Sequence, residues 1–367
     1  MANPSPYLVT SYERDLRLFP TLASKIGLGL LVLVWLALPF NLTDYQLLVL
    51  VFAGIAAIGG IGLNLLTGYT GQVSLGHAFF LGVGAYTAAY LGARHDLPLV
   101  VWLPAAALLA GLVGAVIGPF ALRLRGQYLG IVTLGLVFVG LHVFENWNSV
   151  TGGNTGTTSA APVDVGVADF SALELGGQAF TKEQSWFWFV WALVGLVALL
   201  AKNIVRSRPG RAMQAVRDRD LAAEVVGVSL ARTKVGAFAV SSALAGMAGA
   251  LFASFQEAVN PENFTLLVSI QYIAVVIVGG VGTVFGSILG ALLVGPVQRI
   301  VETVSRSQDL PFVSGDAGGA EGVIAVASLN RMIFGALIIV FLIFEPRGLA
   351  AIWLRAKAYF KTWPFSY

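Results

Sequence analysis

The sequence predicts an all-α, polytopic helical membrane protein with about ten transmembrane helices, some of them broken or re-entrant, and with both termini in the cytoplasm. Three observations carry that expectation. Hydrophobic residues make up 57% of the 367-residue chain and charged residues only 11%, with a mean hydropathy of +0.81; a soluble domain would break its apolar runs with charge every few residues. The apolar runs are long, whereas a transmembrane β-barrel shows alternating segments of roughly ten residues, and only closed hydrogen-bonded elements span lipid. The few charges are gathered in patches whose signs differ between alternate loops.

The first stretch, MANPSPYLVTSYERDLRLFP, carries Glu13 and Asp15 and lacks an apolar core, so residues 1–22 read as a cytoplasmic segment and not as a cleavable signal peptide. At roughly 20 apolar residues per crossing, with shorter broken ones allowed, crossings fall near 23–40, 45–66, 74–92, 98–120, 126–145, 185–201, 234–257, 266–282, 284–301 and 332–344. The pair 266–282 and 284–301 reads either as two short crossings or as one re-entrant element. With Arg14, Arg17 and Lys25 inside, the count also places Arg123, Arg125, the 202–233 loop and the 346–367 tail inside. It leaves 146–184 and 302–331 as external loops of a transmembrane domain spanning 23–345. Parity and the positive-inside bias agree.

Glycine is patterned. Gly68-Tyr-Thr-Gly71-Gln72-Val-Ser74-Leu-Gly76-His77 leads into a glycine-spaced helix, and Gly279-Gly280-Val-Gly282-Thr-Val-Phe-Gly286 leads into another. Two apolar helices interrupted by glycine and small polar groups, one in each half of the chain, read as a degenerate internal repeat. Unwound backbone survives at membrane depth only where it is buried in protein or lines a cavity, so these breaks point to a translocation pathway with Gln72, Ser74, His77 and Gln271 as neutral polar groups beside it. Close helix packing alone would also account for individual glycines.

The chemistry the chain lacks narrows its function. There is no GxxxxGK[ST] phosphate loop, no HExxH and no GxSxG elbow. The chain has no cysteine, and His77, His95 and His142 lie on different elements without ligand spacing, so neither a catalytic site nor a metal site is expected. His142 and Glu145 sit one turn apart, which suits a proton relay or simply the polar end of a helix. A net charge of +3 is too small to suggest nucleic acid as a partner. Ion-coupled transport is disfavoured as well, since the spans hold almost no ionisable residues. An externally powered permeation path fits better.

Between Lys202 and Lys234 lie eight basic and three acidic residues, a charged island in an apolar chain. Within it, Arg211 to Val226 has helical periodicity, with Met213, Val216, Leu221, Val225 and Val226 between the charges and Gly227 placed to stop the helix. An amphipathic helix lying on the membrane surface gives this pattern. A helix docking into a protein cleft gives it too, and the mixture of Asp218, Asp220 and Glu224 with arginines suits the cleft better.

The segments GLNLLTGYTGQVSLGHAFFLGVGAYTAA (62–89), RLRGQYLGIVTLG (123–135), TGGNTG (151–156), SRPGRAMQAVRDRDLAAEVVGVSLARTKVGAFAVSSALAGMAGALFA (207–253), VVIVGGVGTVFGSILGALL (275–293) and FEPRGL (344–349) together resemble the permease subunit of branched-chain amino acid ABC transporters, of the LivM type. The resemblance spans most of residues 50–350. It implies that Ala222, Ala223, Glu224 and Gly227, with Arg217, Asp218 and Asp220 before them, form the coupling helix seated in an ATP-binding subunit. It further implies a second, related permease, two ATP-binding subunits that hold the ATP while this chain holds no cofactor, and an extracytoplasmic amino-acid-binding protein as donor. Against the family pattern, 302–331 and 157–184 are long, which fits either an enlarged docking surface or inert loops. The function the resemblance implies is import of branched-chain or other neutral amino acids driven by the separate ATP-binding subunits, with urea or short-amide import by the same architecture as the alternative within transport. An autonomous small-solute channel is another reading, but it leaves the basic island without a use.

Overall fold

A computed structural model describes residues 22–122, 127–164 and 178–307, most of 338–362, and isolated residues between these stretches. Twelve α-helices of six residues or more organise the described residues: α1 (Leu22–Ala37), α2 (Asp44–Thr70), α3 (His77–Ala88), α4 (Leu99–Leu122), α5 (Gln127–Asn146), α6 (Lys182–Arg206), α7 (Arg208–Asp218), α8 (Asp220–Val225), α9 (Leu230–Gln256), α10 (Leu266–Gly279), α11 (Val284–Ser307) and α12 (Gly348–Thr362). Among the described residues, six helical stretches are long and apolar enough to cross a membrane: Asp44–Thr70, Leu99–Phe120, Tyr128–Asn146, Lys182–Arg206, Leu230–Gln256 and Pro261–Gly279. Lys25–Phe40 and Val284–Val297 are shorter apolar helices. The chain is an all-α, multi-pass membrane protein.

The core forms around α2 and α9, each of 27 residues and therefore about 40 Å long. Helix α2 is apolar on every side, and Leu47, Val51, Ile55, Ile58, Ile61 and Leu65 are all buried, as expected of a helix surrounded by other helices. Helix α9 reaches its neighbours through small residues. A Cβ at Gly84 of α3 would collide with the Gly246 backbone, and one at Gly249 with the Leu81 carbonyl, so backbones approach to a distance only glycine allows. At the periphery, α4 exposes Leu108, Leu112, Val116 and Phe120 at every fourth position, an apolar stripe that a bilayer would cover.

One end of the bundle is tied by matching caps. Thr43 and Thr181 each close a capping box with the glutamine three residues on, Gln46 and Gln184, which satisfies first-turn amides of α2 and α6. Thr181 then donates to Asp44 Oδ1 at 3.0 Å, pinning the two helix starts together. At the same end, strands β1 (Thr157–Thr158) and β2 (Ala258–Val259) pair antiparallel. Ser159 Oγ donates to the Ala253 carbonyl, and Lys182 pairs with Glu257.

Three details differ from the expectation or refine it. The crossing expected from residue 74 begins as a helix only at His77, because residues 71–76 are not helical. Segments 266–282 and 284–301 are two helices joined by the Gly280–Thr283 turn, with Gly279 packed against the Gly286 carbonyl. The single helix expected over 211–226 is broken at Arg219, whose backbone is extended (φ −158°, ψ 107°). The 332–344 crossing is described only in pieces, residues 1–21 lie outside the described residues, and so do nearly all of 308–331 and parts of 165–177.

Candidate functional site at the helix breaks

Helix α2 ends at Gly71, whose φ of 71° is left-handed. The Gly71 and Gln72 amides fold back on the Thr67 and Leu66 carbonyls, which caps the helix and turns the chain around. The non-helical segment then leads back into the bundle. Amides along it and at the start of α3 meet side-chain hydroxyls: Leu75 N donates to Thr133 Oγ1 at 2.9 Å, Gly76 N to Ser74 Oγ at 3.3 Å, and Ala78 N to Ser269 Oγ at 2.9 Å. In lipid, an irregular backbone needs such partners. Helix α3 therefore starts at mid-depth. His77 there is buried and packs against Tyr272 at a tilt of 53°, with ring centroids 4.8 Å apart, and Tyr272 in turn lies against Gly59, three turns back from the end of α2. His77 Nε2 and Gln72 Oε1 are buried without a hydrogen-bond partner among the described residues. Gln72 Nε2 reaches the Lys234 carbonyl at 3.5 Å.

The second break lies beside the first. Gly280 (φ 125°) and Gly282 (φ 79°) adopt conformations that disfavour a side chain. Asn64, buried in α2, staples that turn: its Nδ2 donates to Thr283 O and Ser287 Oγ at 2.8 Å and to Gly280 O at 3.4 Å, while its Oδ1 accepts from Gly282 N at 2.8 Å. Gly68 and Gly282 touch backbone to backbone. The repeated glycine breaks, more than 200 residues apart in sequence, are one contiguous structure.

Arg217 joins the charged island to this structure. Its Nη1 donates to the Gly68 carbonyl at 2.9 Å. A Cβ at Gly71 would lie 3.2 Å from its Cγ, and a Cβ at Gly282 would lie 3.2 Å from its Nη1. Asp218 Oδ1 accepts from Arg217 Nε at 3.1 Å, holding the guanidinium from the other side. The start of α12 docks on the same turn, with Arg347 and Ala350 against Gly280, so island and tail share one end of the bundle.

The break at Arg219 divides the island. On α7, Met213 and Val216 are buried against the bundle. On α8, Leu221 and Val225 are 63% and 87% exposed, and Val226, just past its end, is 77% exposed. Ala223 is buried, Ala222 and Glu224 are exposed, and Gly227 ends the helix at φ 88° with its amide on the Glu224 carbonyl. Beside α8, Asp220, Glu224, Gly227, Ser229 and Lys234 line a polar cleft of about 450 Å³, with Lys234 Nζ 3.8 Å from Asp220 Oδ2.

Of the residues singled out in the sequence, Gly71, Gln72, Ser74, Gly76, His77, Gly279, Gly280 and Gly282 thus gather with Arg217 around the two breaks, and Gln271 lines a separate cavity beyond Tyr272. Asn64, Thr133, Ser269 and Tyr272 were not singled out. For Asn64 a signal existed, since an amide inside an apolar span must find partners.

Residues 45–342 match a model of the family described as the permease component of branched-chain amino acid transport systems. The chain belongs to that family of permeases. It is 32% identical over 342 residues to the high-affinity branched-chain amino acid transport system permease protein LivM of Escherichia coli, covering 90% of this chain and 75% of the relative. Identity to the LivM of Salmonella typhimurium is 31% over the same coverage. The probable transport permease LivH of Methanocaldococcus jannaschii is 25% identical over 257 residues, 69% of this chain and 78% of the relative. No solved structure matches the chain. The matched region contains both breaks, Asn64 and the whole charged island. It is a transport subunit and not an enzyme.

Proposed function

We propose that the chain is the LivM-type half of a two-permease ABC importer for branched-chain amino acids, in which α8 is the coupling helix. The observation that supports this best is the division of labour across Arg219. Helix α8 leaves Leu221, Val225 and Val226 exposed beside the polar cleft, on a charged loop where a lone apolar patch is unfavourable unless something covers it. Helix α7 meanwhile holds Arg217 on the helix breaks. An ATP-binding subunit seated on α8 would move Arg217 with it.

In this reading the ten crossings place the island, N-terminus and tail in the cytoplasm. A second related permease pairs with this chain, two ATP-binding subunits bind the ATP, and the extracytoplasmic amino-acid-binding protein docks at the opposite end. The 157–184 loop there carries Asp164, Asp169, Glu174 and Glu183 against Lys182. Lys or Arg on the rim of the binding protein would complement it, each pair contributing about 0–1 kcal/mol and tuning encounter more than affinity. The 302–331 loop lies at the same end in this topology.

The test is a pair of substitutions on exposed positions, Leu221→Glu with Val225→Glu. They should leave the permease folded and inserted while the ATP-binding subunits no longer co-purify. Glu224→Lys should keep the subunits attached and uncouple ATP hydrolysis from uptake. Normal co-purification and normal uptake in all variants would rule α8 out as the coupling helix.

A further inference from the structure

Beyond Tyr272, on the side facing the capped end of the bundle, a cavity of about 350 Å³ opens between α2, α9 and α10. Pockets that hold small molecules run from about 300 to 1,000 Å³, so this one suits a ligand of a few heavy atoms. Its walls have two characters. Phe52, Ile55, Ala56, Phe252 and Phe264 give an aromatic and aliphatic surface, and Gln256, Asn263 and Gln271 contribute three primary amides. None of its lining residues is charged.

We propose that this cavity is where the permease holds its amino acid in transit, and that it selects an aliphatic side chain on a zwitterion of zero net charge. The inference rests on the proposed importer function and adds to it the location and the selectivity of the membrane site. A primary amide both donates and accepts, so the three amides can meet an α-carboxylate and an α-ammonium without a fixed charge of either sign. An amino acid with an ionised side chain would bring an extra charge to a cavity whose lining offers no ionised partner, which is costly. The branched hydrocarbon takes the phenylalanine and isoleucine wall. Dipoles in place of ions also keep the hold weak, which turnover demands. The position fits a route: Tyr272 forms the floor, and its ring lies against that of His77, 4.8 Å between centroids, the first residue after the non-helical 71–76 break. Gly59 leaves room for that ring, because a Cβ there would overlap it.

The experiment uses the complete transporter, with partner permease, ATP-binding subunits and amino-acid-binding protein, in proteoliposomes. Ala56→Trp should fill the cavity and lower leucine uptake about tenfold or more, while ATP hydrolysis stimulated by the binding protein persists at the far end. Gln271→Leu should also lower leucine uptake, since the site loses an amide. In the naturally cysteine-free chain, Gln271→Cys should react with a small polar thiol reagent during turnover, more slowly when leucine is present and unchanged by lysine. Leucine uptake by the unmodified transporter checks the importer reading separately; if another neutral amino acid is carried instead, the same variants are scored on that one. Wild-type uptake in Ala56→Trp and Gln271→Leu, or labelling indifferent to the carried amino acid, would overturn the cavity assignment and leave the importer reading standing. Should Ala56→Trp fail to assemble, the labelling result decides alone.

Discussion

Asn64 shows how one buried side chain can hold two distant segments. Leaving a buried donor or acceptor unpaired costs about 1–3 kcal/mol, and Asn64→Leu would strand both the Gly282 amide and carbonyls of the 280–283 turn. The variant should unfold several degrees earlier in a detergent thermal-unfolding assay. Asn64→Asp should be worse, because a carboxylate would face the Thr283 carbonyl. Two glycines, Gly68 beside Asn64 and Gly227 at the end of α8, separate sterics from backbone strain. At Gly68 a Cβ would collide with Asn64 and the Gly282 backbone, whereas at Gly227 nothing lies within 4 Å but φ is 88°. Gly227→Ala should therefore cost only about 1–2 kcal/mol, the left-handed penalty. Gly68→Ala should prevent the two breaks from docking, read as loss of assembled transporter after detergent extraction.

At the scale of elements, the island is two helices with separate duties, and Arg217 is the joint between them and the membrane path. Its hydrogen bond ends on the Gly68 carbonyl, near the C-terminal end of α2 where carbonyls lack helical partners and a cation is favoured. Arg217→Ala should leave Leu221 and Val225 free to bind ATP-binding subunits, so ATPase activity should survive while uptake falls severalfold. Arg217→Lys should restore uptake only in part, since an ammonium keeps the charge but loses the planar fork that reaches Gly68 and Asp218 together. Equal loss of ATPase and uptake in both variants would make Arg217 a purely structural brace.

Across the whole molecule, the charged clusters gather at two ends. The island and α12 occupy one end, and Asp44, Lys182 and Glu257 with the β1–β2 pair the other. A cysteine at Ser229 should accordingly react with a membrane-impermeant thiol reagent only from the cytoplasmic side, and one at Thr181 only from outside. Reaction of both from the same side would invalidate the proposed topology.

The sequence by itself determined the all-α membrane class, the positions of most apolar helices, the polar handle and the two glycine breaks. These depend on composition and local periodicity, which bilayer thickness and backbone hydrogen bonding translate directly into structure. It also carried the family resemblance that the comparisons bear out. The helical periodicity of 211–226 was legible too, but the break at Arg219 was not, because burial of Met213 and Val216 against the bundle and exposure of Val225 arise from packing and not from spacing. Only the tertiary structure decided that the breaks meet, that Asn64 and Arg217 bridge them, and that Gln271 lies across Tyr272 from His77 in a different cavity. Those contacts join residues up to 223 positions apart, and a periodic apolar pattern says which face of a helix is buried without saying which other helix will cover it.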